Sequence, residues 1–192
     1  RYGQALGRER RAAPASCRDR PRDVNAEAAC WRFVGHVYAR PGVQQSCLLL
    51  QKRMQADIVL LLFGSWLARC GIALSLGAAR EATALVGPWR DTVVRPLRAI
   101  RLTMKSSPLM ARPEAAALRE RIKADELAAE RIEQGLLVAW AASRWPETGA
   151  PDPDLVATNL PMCLPAAPTA ASREALWRIM DACREAIIKS DR

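Results

Sequence analysis

The sequence predicts an all-α fold: a single-domain helical bundle around a buried central helix at about 57–70, plus a separate C-terminal amphipathic helix. Three features predict it. Alanine and leucine dominate and β-branched residues are sparse, which favours helices over sheets. Apolar residues recur at three- and four-residue spacings in successive windows. The stretch from Asp57 to Gly71 opens on an acid suited to a helix N-terminus and closes on a Gly suited to a C-cap. Between them, Ile58 to Phe63 and then Trp66-Leu67 leave no polar face, the pattern of a helix buried on all sides. Arg69 ends the run after about 11 residues, short of the roughly 20 that cross a bilayer, so no membrane span is expected.

Residues 1–25 carry seven Arg and three acids with no apolar period, and are expected to be a disordered Arg-rich extension outside the fold. They contain no apolar segment of the kind a secretory signal needs. A bundle domain is expected over 26–145. Its first helix, about 26–39, repeats Trp31, Val34 and Tyr38 on one face, and Arg40-Pro41-Gly42 stops it. The second, about 43–55, carries Val43, Cys47, Leu50 and Met54. After the central helix, Ser75 is a plausible N-cap for a short helix that Gly87-Pro88 breaks. The next, about 89–105, aligns Trp89, Val93, Leu97, Ile100 and Met104, with a kink expected at Pro96. A long helix at about 113–144 starts on Pro113, with Leu118, Ile122, Ala129, Ile132, Leu136 and Trp140 as its expected seam. Residues 146–171 are rich in Pro and Ala and are expected to be a linker. A last amphipathic helix at about 172–190 carries Leu176, Met180, Cys183 and Ile187. The expected core is Trp31, Tyr38, Cys47, Leu50, Leu61, Leu62, Phe63, Trp66, Leu67, Trp89 and Leu97.

Chemical motifs are scarce. There is no glycine-rich phosphate loop and no strand to carry one. His36 is the only histidine, and the six cysteines include no C-x-x-C pair, so no catalytic residue, cofactor or metal site is predicted. Cysteines within apolar helical patterns suggest reduced thiols and a cytoplasmic location. One constellation is worth weighing. The 89–105 helix places Arg90 and Arg101 beside its apolar stripe with Arg98 further round, and the long helix has a ridge of Glu126, Glu130 and Glu133 near Lys123. If the two helices pack seam to seam, these charges pair across the boundary. The pairing either forms a polar pocket for an anion or metal or serves as a rim of ion pairs, each worth about 0–1 kcal/mol if exposed.

Trp31-Arg-Phe33, Tyr38-Ala-Arg-Pro-Gly-Val43, Cys47-Leu-Leu-Leu-Gln51, Asp57 through Leu67, Pro88-Trp-Arg90 and Val94-Arg-Pro-Leu-Arg98 together resemble one family. It is an uncharacterised family of small proteobacterial proteins, a domain of unknown function. The likeness covers about 29–134 and includes Lys123, Glu126, Leu127 and Glu130. It implies a helical cytoplasmic bacterial protein and brings no known activity. The chain departs from its relatives at Lys52, Met54, Gln55 and Val59, so the resemblance implies no shared polar site around Asp57.

The leading functional expectation is a non-enzymatic protein–protein interaction or adaptor module that binds a partner, or itself, through the C-terminal helix. On that expectation, removal of 147–192 leaves a folded bundle. The alternative is a small enzyme or anionic-ligand-binding protein using the Arg/Glu cluster. A third is a non-specific nucleic-acid binder using Arg90, Arg95, Arg98, Arg101 and Lys105. No sequence-specific nucleic-acid binding is expected, because no recognition motif accompanies these bases.

Overall fold

The structure is a computed structural model, and it describes residues 26–190; the expectation for residues 1–25 lies outside the described residues. Its helices are α1 (Ala26–Tyr38), α2 (Val43–Met54), α3 (Ile58–Arg69), α4 (Leu76–Trp89), α5 (Arg95–Lys105), α6 (Pro113–Arg144), α7 (Leu155–Met162) and α8 (Ala170–Ser190). A π-helical segment, Arg90–Val94, joins α4 to α5, and a 3-10 turn, Pro108–Ala111, precedes α6. Among the described residues there is no strand, and the fold is all-α. None of their helices is long and apolar enough to cross a membrane.

The centre is α3. Asp57 caps it, its Oδ1 accepting from the Leu60 amide at 3.0 Å, and every residue from Leu60 to Ala68 is buried. α1, α6, α7 and α8 all pack on it. Fully burying each of Leu60, Leu61, Phe63, Trp66 and Leu67 contributes about 1.5–3 kcal/mol or more, so this helix alone organises the core.

The stretch expected to be a linker is instead structural. Residues 149–152 close the C-terminal end of α3: the Gly149 amide donates to the Cys70 carbonyl and the Asp152 amide to that of Ala68, both at 3.0 Å. Gly71 permits this approach, with φ of 66° and a position where a Cβ would lie 2.4 Å from the Ala150 carbonyl oxygen. α7 then lies against α3, held by Asn159, which is fully buried. Its Oδ1 accepts from the Leu74 amide at 2.8 Å, while Nδ2 donates to the carbonyls of Gly64 and Ile72 at 3.1 and 2.9 Å. Eight residues containing a Pro and an inward Asn show no apolar period, so α7 reads as loop in sequence.

The C-terminal helix is not separate either. α8 packs along α2 and also touches α1, α3 and α7, burying Leu176, Ile179, Cys183 and Ile187. Arg40 ties it down, donating to the Ala182 carbonyl at 2.9 Å and to Glu185 at 2.7 Å.

Several other expectations shift. Gly87-Pro88 does not break the helix: the rod passes from α4 through the π-helical segment into α5, with the Arg95 amide reaching the Arg90 carbonyl. The wide turn lies between the two prolines and shifts the hydrogen-bond register there. Of the expected core, Cys47, Leu50, Leu61, Leu62, Phe63, Trp66 and Leu67 are buried, whereas Trp31, Tyr38, Trp89 and Leu97 are only half-buried. Trp89 lies at the edge because its indole N–H reaches the Ala129 carbonyl at 3.0 Å, and Trp31 lies beneath the Arg131 guanidinium. The expected seam of α6 is rotated. Leu118, Ile132 and Leu136 are exposed, while Glu126, Ala129, Glu133, Leu137 and Ala141 point inward.

Candidate functional site

The rod formed by α4, the π-helical segment and α5 packs on α6, and its guanidinium groups meet the inward glutamates there. Arg98 donates to Glu126 Oε1 at 2.7 Å and also pairs with Glu130. Arg101 pairs with Glu126 as well, its second contact being 3.1 Å. Burial opposes ionisation of Glu126, but the hydrogen bonds from Arg101 and Arg98 outweigh it and hold the carboxyl below its ordinary range. Two Arg and two Glu make a neutral, mutually satisfied clasp. Lys123 is not part of it and pairs with Glu120 on the outer face of α6.

Arg90 turns the other way, towards the mouth of α3. Its Nη1 donates to Asp57 Oδ2 at 3.1 Å and its Nε to Asp91 at 3.0 Å, and Arg95 pairs with the same Asp91 at 3.0 Å. Burial works against the Arg90 cation, and the two carboxylates more than restore it. The result is an alternating chain, Asp57–Arg90–Asp91–Arg95, running from the interior to the surface. Asp57 is its buried end, with 7 % of its side chain exposed; Arg95 is its outer end, with 45 % exposed.

Beside this chain is a cavity of about 240 Å³, bounded by Gln51 and Gln55 from the end of α2, Val59 of α3, Val94, and Ala99 of α5. Asp57, Arg90, Arg95, Arg98 and Glu133 also line it. Glu133 is 0 % exposed, and neither of its carboxylate oxygens accepts a hydrogen bond from a donor. Burial, then the neighbouring Asp57 carboxylate, pushes its carboxyl up to about 9, so at neutral pH Glu133 is a neutral acid whose O–H is directed to Asp57. Burial likewise raises Glu130, against the pull of Arg98. No group of three or more His, Cys, Asp or Glu among the described residues is placed to hold a metal ion.

A family described as "Protein of unknown function (DUF2390)" matches residues 29–137. The chain belongs to this family. No curated protein and no solved structure matches it. The DUF2390 segment holds most of α1, all of α2 to α5 and most of α6, and with them every side chain of the clasp, the ion chain and the cavity. α7 and α8 lie beyond it, yet they close the core behind α3.

Sequence reading brought together Arg98, Arg101, Glu126 and Glu130 as the structure does, but placed Arg90 and Lys123 with them, where they are not. It missed the cavity and the role of Glu133 as its buried acid. The available signal was that Glu126, Ala129, Glu133 and Leu137 follow an i, i+3, i+7, i+11 line, which puts Glu133 on one face with residues that can only be buried.

Proposed function

We propose that the protein binds a small acid-bearing molecule in the cavity between the α2–α3 junction and the π-helical segment. One observation carries this reading. Glu133 is a fully buried carboxyl that no base pairs with, and it lines a cavity together with three arginines. Its O–H serves Asp57, but its other oxygen accepts from no donor, and a buried acceptor left unsatisfied costs about 1–3 kcal/mol. The exposed rim supports the same reading, because Lys52 and Arg53 end α2 beside the cavity-lining Gln51 and Gln55 and add to the field of Arg95. Ligand-observed NMR with a panel of small organic acids, amino acids and phosphate esters tests it, with Ala99→Trp as the variant that fills the cavity. A compound that binds the wild type and not Ala99→Trp is the expected result. No binding, or binding indifferent to that substitution, overturns the reading.

A protein partner is the second reading, favoured by the outer face of α8, where Trp177 (61 % exposed) and Ile188 (49 %) lie eleven residues, or about three turns, apart. The seam of α8 is already occupied by α2, so only this outer face is offered. Light scattering of the wild type against Trp177→Ser reads it: a self-associated species lost in the variant supports it, and a monomer in both removes self-association. Nucleic acid is weakened, because Arg90, Arg98 and Arg101 are engaged by carboxylates, and of the exposed Arg95 and Lys105 the first already pairs with Asp91.

A further inference from the structure

We propose that the cavity takes an amphoteric ligand, a primary ammonium joined by a short aliphatic chain to a carboxylate, with the ammonium between Asp57 and Glu133 and the carboxylate at Arg95. This rests on the cavity being the binding site. The ion chain sets the orientation. It alternates acid, base, acid, base, so its buried end is a carboxylate and its exposed end a guanidinium. A dipolar ligand lying alongside it with the opposite polarity meets attraction at both ends, whereas a simple anion or a simple amine meets attraction at one and repulsion at the other. Val59 and Val94 on the walls suit the methylenes between them.

Charge bookkeeping points the same way at the floor. The clasp below is neutral, and Asp57 is balanced by Arg90. Glu133, protonated beside Asp57, is therefore the one lining acid with no basic partner. The charged or titratable groups around it are Asp57 from α3, Arg90 from the π-helical segment, Arg98 from α5 and Glu130 from its own helix; Cys163, beyond α7 and beside Asp57, is held neutral by burial. When an ammonium enters, it takes the place of the Glu133 O–H at Asp57: the O–H bond breaks, its hydrogen bond to Asp57 is replaced by an N–H of the ligand, and the proton leaves to solvent. The carboxylate that remains accepts N–H hydrogen bonds from the ammonium. Binding near neutral pH thus releases about one proton per ligand.

Isothermal titration calorimetry at pH 7 in two buffers of different ionisation enthalpy reads both claims. The probes are glycine, 4-aminobutyrate and 6-aminohexanoate, with butylamine and butyrate as single-charge controls. At least one amino acid should bind roughly tenfold or more tightly than either control and release about one proton. Glu133→Gln should bind without proton release, and Arg95→Ala, at an exposed position, should reduce the amino acid to the affinity of butylamine. Equal binding of a single-charge control, binding without proton release in the wild type, or no binding of any amino acid overturns the proposal. In the last case a different cavity ligand from the NMR panel leaves the binding-site reading intact, and an empty panel overturns both.

Discussion

Glu133→Gln is the most informative single substitution. Gln keeps the shape of the side chain, and its amide can donate to Asp57 where the carboxylic O–H does now. A carboxyl whose value in the folded chain lies above its unfolded value holds its proton more tightly when folded. Its stabilising contribution is therefore complete below the unfolded value and lost as pH rises towards the folded one. Here the interval runs from about 4.3 in the unfolded chain to about 9 in the fold. Within it, each pH unit removes up to about 1.4 kcal/mol, which accumulates to the order of 4 kcal/mol at pH 7. The Gln side chain carries no such dependence. Urea unfolding of both proteins at pH 5, 6, 7 and 8 should show the variant gaining on the wild type by about 1 kcal/mol per pH unit. Glu126 and Asp91 lie below their ordinary range in both proteins, so their protonation cancels in the comparison. A difference constant from pH 5 to 8 refutes the reasoning, because it means that Glu133 is ionised throughout.

Three other substitutions or deletions test the frame around the site. Asn159→Ala strands the Leu74 amide and the carbonyls of Gly64 and Ile72, and should cost about 3 kcal/mol or more by urea unfolding. Arg98→Ala leaves Glu126 with Arg101 alone and removes the guanidinium that pairs with Glu130; a loss of about 3–5 kcal/mol is expected, and a double-mutant cycle with Glu126→Ala should show strong non-additivity. Truncation after residue 146 removes the partners of Cys47, Leu50 and the far side of α3, so the remaining chain should lose its cooperative thermal transition; a sharp, near-native melt would show that α7 and α8 are dispensable.

The parts of the fold legible in sequence are those where one residue type settles the local chemistry. Asp57 and Ser75 cap α3 and α4 as their positions suggest, and Pro113 opens α6. The illegible parts are those where polar residues do core work. α6 turns Glu126 and Glu133 inward and leaves Ile132 and Leu136 in solvent, because the guanidinium groups of α5 are there to receive the acids. No periodicity of apolar residues reports that exchange. Asn159 is the same case in α7, where three hydrogen bonds replace the apolar contact that a sequence pattern registers. The clasp was legible because opposite charges on facing helices at helical spacing have few alternatives to pairing. The cavity was not, since it exists only where the end of α2, the cap of α3 and the rod come together.

The π-helical segment has a consequence for how this chain can change length. A π-turn holds one residue more than an α-turn, so Arg90–Val94 behaves as a single-residue insertion absorbed within a helix. Deleting one exposed residue there, such as Thr92, would let the rod relax into an uninterrupted α-helix with good local geometry. The wider turn spreads its extra residue over about the same total rotation as the α-turns it replaces, so the helix beyond it would stay in phase with α4. Arg98 and Arg101 would go on facing Glu126, and the change would fall on Asp91 and Arg95, whose four-residue spacing would shorten to three. A one-codon deletion there would thus be silent at the clasp and felt at the rim. The segment stores a residue without turning the face that follows it.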